Sequence, residues 1–143
     1  MNHVVSYSRT IEADLETSWS VLQDFGSLIH WVKGGDVGSI TVSGDGVGMT
    51  RDLNLPSVGK VQHRLEALDE ANHQIAYSLT KGQPLGMADY IVSISLRTSA
   101  DGCDMIWEGE FDAAPEVNAE AVAHNLNEAY ESMTELFEGF VGT

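Results

Sequence analysis

Residues 115–141 carry a longer helical pattern than any other part of the sequence. Glutamates dominate one side of this helix, and the other side is an apolar stripe of Val122, Leu126, Ala129, Met133, Phe137 and Phe140. Either Pro115 lies in the first helical turn, or Asn118 caps a slightly later start. At about 1.5 Å per residue the helix is roughly 35 Å long. The rest of the chain must supply an apolar partner of similar length.

The chain between residues 40 and 111 has the two-residue period of β-strands, so this partner is predicted to be a sheet. Turn sequences such as Gly44-Asp45-Gly46 separate the strands. Because these connections are short and contain no helix, the sheet is predicted to be antiparallel. The predicted strands are residues 3–11, 37–43, 47–55, 59–68, 73–80, 90–98 and 105–111.

Two short helices are predicted after the first strand. Asp14 suits the N-cap of the first, in which Leu15, Trp19 and Leu22 share one face. Residues 25–31 predict the second, separated from the first near Gly26. The predicted fold class is α+β: a curved antiparallel sheet of about seven strands around one long C-terminal helix, with both short helices after the first strand.

Length and composition predict one domain that spans residues 1–143. The chain is 43% apolar, and no apolar run approaches the roughly 18 residues of a membrane span. Residues 1–10 do not resemble a signal peptide, so we expect a soluble, cytoplasmic protein. Cys103 is the only cysteine in the sequence, which excludes an internal disulfide and a cysteine metal cluster.

The net charge of −15 restricts the partners of the protein. It arises from 22 acidic residues against seven lysines and arginines. Such a chain repels phosphate backbones and anionic membranes, and no basic stripe opposes that repulsion. We therefore expect no nucleic acid partner and no membrane insertion, and the acidity itself favours solubility. A basic protein partner stays open.

Strand periodicity places several polar side chains on the sheet face that should pack against the helix. Arg51, His63, Tyr77 and Tyr90 share that face with apolar neighbours, as does the indole of Trp107. An unpaired buried polar group costs roughly 1–3 kcal/mol, and an unpaired buried charge costs more. Polar groups on an apolar concave face favour a ligand cavity. The alternative is that Arg51 and His63 hydrogen-bond each other or reach the rim.

Neither a metal nor a cofactor is predicted. No two of the five histidines are spaced i, i+4 on one helix face, and HExxH, CxxC and GxSxG are absent from the sequence. Gly44, Gly46 and Gly48 precede a strand, which indicates a hairpin turn and not a phosphate-binding loop. Among the histidines, only His30 and His63 are placed to line a cavity.

Short motifs along the whole chain carry a family resemblance. They are Ile11-Glu-Ala, Trp19-Ser-Val-Leu-Gln-Asp-Phe-Gly, Trp31, Gly48-Met-Thr-Arg51, Arg64-Leu65, Leu68-Asp69, Tyr77, Gly82-Gln-Pro-Leu, Tyr90 and Trp107-Glu-Gly-Glu-Phe111. With these motifs the chain resembles the START and birch-pollen-allergen superfamily (SRPBCC). The resemblance is to its bacterial polyketide cyclase/dehydrase-like branch, which is related to plant abscisic-acid receptors. It is specific for fold and weak for function.

The resemblance implies a helix-grip fold with an internal cavity between the curled sheet and the long helix, entered near the loops beside the second short helix. In many relatives the position of His63 holds a glutamate that partners the arginine matching Arg51. An imidazole at that position would offer a base with a pKa near neutrality. If Arg51 and His63 face each other without a carboxylate, however, the pKa of His63 should lie below its ordinary value.

Two function classes follow, and the sequence leans slightly to the first, a binding protein. It would carry or sequester a small hydrophobic or aromatic molecule whose carbonyl or carboxylate is held by Arg51. The resemblance implies a monomer or homodimer. The predicted ligand-binding residues are His30, Trp31, Arg51, His63, Tyr77, Tyr90, Trp107, Met133 and Phe137.

The second class is a cofactor-free cyclase, dehydratase or related lyase that acts on an aromatic or polyketide-like carbonyl compound. Arg51 would hold the developing anion, His63 would be the general acid or base, and Tyr77 or Tyr90 would donate to a carbonyl or enolate. A third alternative is a fully packed domain that makes only protein–protein contacts.

Overall fold

The computed structural model describes residues 2–28, 38–55 and 59–142. It confirms the α+β fold, a seven-stranded antiparallel sheet with one long C-terminal helix. A 3₁₀ turn, Pro84–Gly86, precedes the sixth strand. The elements are β1 (His3–Ile11), α1 (Leu15–Leu22), β2 (Ser39–Ser43), β3 (Thr50–Leu55), β4 (Gly59–Asp69), β5 (Gln74–Lys81), β6 (Met87–Ser99), β7 (Gly102–Ala113) and α2 (Ala119–Val141).

The strands lie in the order β1-β7-β6-β5-β4-β3-β2, and every neighbouring pair is antiparallel. Strands that follow one another from β2 to β7 are therefore neighbours in the sheet. The first strand, β1, pairs with the last, β7. The sheet curls around α2, which packs against β1 and β7. No helix in the described ranges combines the length and the hydropathy that crossing a membrane requires.

Helix α2 begins after Asn118, whose side chain accepts hydrogen bonds from the backbone N–H groups of Glu120 and Ala121. This confirms the later of the two predicted starts. The apolar stripe is predicted correctly at Val122, Leu126 and Phe137, which are buried, but wrongly at Phe140, whose exposed fraction is 41%. The buried face also includes Tyr130 and Thr134.

The first short helix is confirmed, and the second is only partly described. The carboxylate of Asp14 accepts a 2.8 Å hydrogen bond from the backbone of Thr17, so Asp14 caps α1 as predicted. Trp19 and Leu22 are buried on the inner face of α1. Of the segment predicted as the second helix, residues 25–28 are described and residues 29–31 are not.

The predicted strand faces are correct in β6 and β7 but not along the whole of β4. Val61, His63 and Leu65 are buried, as predicted, whereas Ala67 is exposed. The register between β4 and β5 shifts between Leu65 and Ala67. The extra residue of this bulge reverses the alternation, so Ala67 points away from the core.

Candidate functional site

Arg51 and His63 lie opposite each other on neighbouring strands, with both side chains on the inner face of the sheet. Arg51 is in β3, His63 is in β4, and the two form a register pair. The Nε–H of Arg51 donates a 3.1 Å hydrogen bond to Nδ1 of His63, and Nη1 donates a 3.0 Å bond to the carbonyl oxygen of Phe25. The predicted alternative, a hydrogen bond between the two side chains, is therefore correct.

The guanidinium of Arg51 packs against two aromatic rings that meet edge to face. Its central carbon lies 4.2 Å from the ring centroid of Phe25 and 4.5 Å from that of Tyr77. Only 6% of the residue is exposed, and none of the ion pairs formed within the described residues involves Arg51. Burial lowers the pKa of Arg51, although the group stays cationic at neutral pH. The two rings thus contact a charge that has no carboxylate partner among the described residues.

His63 is neutral in this arrangement. Burial, and then the charge of Arg51, lower its pKa well below the ordinary value. This confirms the lowered pKa that the sequence predicts for a facing pair without a carboxylate, and it argues against a base that titrates near neutrality. Because Nδ1 accepts the bond from Arg51, the neutral imidazole carries its proton on Nε2.

Three tyrosines add hydroxyl groups beside this pair. Tyr77 lies with its ring centroid 4.7 Å from that of His63. The hydroxyl groups of Tyr90 and Tyr130 hydrogen-bond each other across 2.5 Å. Burial raises the pKa of all three, so each is a neutral phenol at physiological pH.

Gly109 makes room for this tyrosine pair. It lies on the inner face of β7, where a Cβ atom would collide with the hydroxyl of Tyr130 and lie 3.2 Å from the ring of Tyr90. The neighbouring Trp107 stacks on Tyr130, with ring centroids 4.7 Å apart. Its indole N–H donates a 2.9 Å hydrogen bond to Thr134, so the polar atoms of this wall are paired within the protein.

These side chains line a cavity of about 190 Å³ between the sheet and α2. Its mouth includes Leu85, which is 39% exposed and has a φ of 57° in the turn before β6. The wall is apolar and aromatic apart from the groups already described. The lining residues are Leu28, Arg51, Leu53, Val61, His63, Tyr77, Pro84, Leu85, Met87, Tyr90, Trp107, Leu126, Ala129, Tyr130 and Met133.

Most of the site residues predicted from the sequence meet at this cavity. Its lining includes Arg51, His63, Tyr77, Tyr90, Trp107 and Met133. Phe137 is fully buried in the core and does not line the cavity. It lies about one turn beyond Met133 along α2. His30 and Trp31, the other two predicted ligand contacts, lie outside the described residues.

Tyr130 is the main lining residue that sequence reasoning missed. The predicted apolar stripe runs through Ala129 and Met133, whereas Tyr130 lies between Leu126 and Thr134 at steps of four residues along the buried face. Two signals could have revealed it. One is that spacing of four, and the other is Gly109, an inward glycine between Trp107 and Phe111 that leaves space for a large group from the helix.

The described histidines outside the cavity have ordinary environments. His3 stacks on Phe111, His73 contacts Trp19 edge to face, and His124 is exposed beside Glu128. Across the described ranges, no three histidine, cysteine or carboxylate side chains converge as metal ligands would. The chemistry on offer at the cavity is hydrogen-bond donation beside one positive charge.

One family model matches nearly the whole chain. It is described as polyketide cyclase / dehydrase and lipid transport, and it covers residues 2–138. No curated protein matches the sequence significantly.

Several solved structures share the fold. A protein from Bacillus thuringiensis has a TM-score of 0.82 at 20% identity, over 99% of this chain and 100% of that one. A protein from Nitrosospira multiformis has a TM-score of 0.78 at 25% identity, over 96% and 94%. Norcoclaurine synthase from Thalictrum flavum, solved with dopamine and hydroxybenzaldehyde, has a TM-score of 0.75 at 18% identity, over 97% and 86%. At these identities we take the similarity as evidence for the fold alone.

Proposed function

This chain belongs to the polyketide cyclase/dehydrase and lipid-transport family of the SRPBCC superfamily, and from that membership we propose that it binds a small hydrophobic or aromatic molecule in the cavity beneath α2. The molecule carries a carbonyl or carboxylate that accepts hydrogen bonds from Arg51. The protein acts as a carrier or sequestering protein for this ligand.

The observation that carries the proposal is a buried guanidinium on the wall of an apolar cavity. Desolvating a cation costs several kcal/mol unless charge or hydrogen bonds compensate. The partners of Arg51, an imidazole nitrogen, a backbone carbonyl and the phenol of Tyr77, are all neutral. Such a group contributes little to the stability of the fold. It can, however, donate a charge-assisted hydrogen bond to an oxygen atom of a ligand.

The enzymatic alternative is a cofactor-free cyclase, dehydratase or related lyase on an aromatic or polyketide-like substrate, with Arg51, His63 and Tyr77 as its catalytic residues. The hydroxyl pair of Tyr90 and Tyr130 favours it, since phenols can donate to a developing enolate. Its weakness is the base. Nδ1 of His63 already accepts a hydrogen bond from Arg51. Because the pKa of His63 is lowered, its imidazole is also a weak base for abstracting a proton from a substrate. The arrangement supports binding better than proton transfer.

Binding is tested by NMR with small aromatic and aliphatic aldehydes, ketones and carboxylates. The indole N–H of Trp107 reports from the cavity, and that of Trp19, which does not line it, reports from outside. We expect at least one compound to shift the Trp107 signal saturably and to leave the Trp19 signal in place. The proposal is overturned if no compound does so.

Two variants separate the cavity arginine from charge in general. Arg51→Gln should weaken binding of the acceptor-bearing compounds about tenfold or more. Arg64→Gln is the matched control, because Arg64 is on the same sheet but half-exposed and paired with Glu66. If both variants bind these compounds equally well, Arg51 does not contact the ligand. Mass spectrometry of each incubated compound tests the alternative, since turnover that His63→Gln abolishes would establish an enzyme.

A further inference from the structure

The size of the cavity limits what it holds. Pockets for drug-sized ligands usually measure about 300–1,000 Å³, and an engineered apolar cavity of about 150 Å³ takes up benzene. The cavity beneath α2 measures about 190 Å³. That volume suits one six-membered ring with a short substituent, and it is small for a fused-ring polyketide or a long acyl chain.

The charge of the cavity wall favours an anion over a neutral carbonyl compound. Arg51 is 6% exposed, and its hydrogen-bond partners in His63, Phe25 and Tyr77 are all neutral. Neutral His63 contributes no negative charge, and neither do the phenols of Tyr77 and Tyr90. A carboxylate would pair with the guanidinium in a site that is largely screened from water, where such a pair is stronger than at the surface.

The remaining wall suits an aromatic ring. Trp107 of β7 stacks on Tyr130 of α2, and Leu126, Ala129 and Met133 of the same helix contribute apolar surface to the lining. Ala129 has the smallest side chain of the lining, so the helix leaves space where a ring can lie. Aromatic side chains pack against such a ring in offset or edge-to-face contacts.

We propose that the ligand is the anion of a single-ring aromatic acid, of the phenylacetate class, with its carboxylate on Arg51 and its ring in the apolar part of the cavity lined by Trp107 and Ala129. This inference rests on the proposed function and narrows the class of ligand to molecules with one negative charge and one aromatic ring. It differs from the polyketides and lipids in the description of the family.

The test compares four probes by calorimetry and by the Trp107 indole signal. They are phenylacetate, its neutral isostere phenylacetamide, the two-ring 1-naphthylacetate and the non-aromatic hexanoate. We expect phenylacetate to bind about tenfold or more tightly than each of the others, because each lacks the charge, the fit or the ring. Arg51→Gln should reduce phenylacetate binding about tenfold and phenylacetamide binding by a clearly smaller factor, because the amide loses a hydrogen bond but no ion pair. Phenylacetamide binding that persists in the variant shows that its cavity is intact. Ala129→Leu should weaken both ligands by filling the space for the ring.

Each contrary result overturns a defined part. If phenylacetamide binds as tightly as phenylacetate or more tightly, the ligand need not be charged. The same result for 1-naphthylacetate refutes the size limit, and for hexanoate it refutes the requirement for an aromatic ring. If none of the four binds but a larger or neutral compound of the wider panel shifts the Trp107 signal, the inference fails and the proposed function stands. If no compound at all shifts that signal, both fail.

Discussion

The Nε–H of Arg51 donates a 3.1 Å hydrogen bond to Nδ1 of His63, directly across the β3–β4 pair. The bond fixes the protonation state of the imidazole, because Nδ1 can accept only while it carries no proton. It also gives a permanent cation a partner that adds no negative charge. The two residues therefore present donors and one positive charge to the cavity, which is the arrangement that the proposals above depend on.

Acidification should destabilise the protein through His63. The pKa of His63 is low in the folded state and close to 6.5 when unfolded, so below about pH 6.5 the unfolded chain binds more protons than the folded one. The contribution of neutral His63 to the free energy of unfolding is therefore fully present above about pH 6.5. It is lost as the pH falls towards the folded pKa, by at most about 1.4 kcal/mol per pH unit. Urea unfolding near pH 7.5 and near pH 5.5 measures this loss.

His63→Gln keeps a hydrogen-bond acceptor for Arg51 and removes the titration, so its stability should fall less between the two pH values. His124→Gln is the control, because 71% of the His124 side chain is exposed. A loss in His63→Gln as large as that of the parent protein would contradict the assignment.

Replacing Arg51 by methionine should leave the unliganded protein almost as stable as before. The acceptors of His63 and Phe25 are left unpaired at roughly 1–3 kcal/mol each. This cost is offset because the burial of a cation, which costs several kcal/mol, is removed and an unbranched apolar chain fills most of the volume. We expect a change in the free energy of unfolding within about 1 kcal/mol, measured by urea unfolding. Arg51→Ala should cost about 2–4 kcal/mol, since it leaves a cavity. A loss above about 3 kcal/mol for Arg51→Met would contradict this expectation, because it would show that the contacts of the guanidinium outweigh the cost of burying it.

Gly109→Ala should destabilise the protein by about 1–3 kcal/mol, because the new methyl group collides with the hydroxyl of Tyr130. Removing that oxygen with Tyr130→Phe should recover part of the loss in the double variant, and a double-mutant cycle measures the coupling. Gly139→Ala is the control. Its Cβ meets no atom within 4 Å on the exposed side of α2, so it should stabilise the helix by about 0.5–1 kcal/mol. Additive effects at Gly109 and Tyr130 would contradict the contact.

Thr134→Val should cost about 1–3 kcal/mol in thermal or urea unfolding, although valine has almost the same shape. The change leaves the buried indole N–H of Trp107 without its acceptor. Thr134→Ser keeps the hydroxyl and should cost less than Thr134→Val. In a Trp107→Phe background there is no indole donor to leave unpaired, so the penalty of Thr134→Val should shrink. An unchanged penalty there would show that the hydrogen bond contributes little.

The sequence by itself determined the elements of this protein and the faces of most strands. The period of two placed Arg51, His63, Tyr77 and Tyr90 on the inner face of the sheet, because alternation is a local property of an extended backbone. Asp14 is predicted as a cap for the same reason, since a cap bonds only to the turn that follows it, and Asn118 is one of the two predicted starts of α2. Parity failed at Ala67, where a bulge depends on the partner strand.

Only the tertiary structure decided the volume of the cavity and the protonation of its groups. Tyr130 meets Tyr90 from 40 residues away in space that Gly109 leaves open, and no local pattern specifies that contact. Whether His63 serves as a base or is held neutral depends on its distance from Arg51 and on burial, which act through space and not along the chain. A cavity is volume left unfilled by side chains from many elements, so its size follows from how the whole sheet closes on α2.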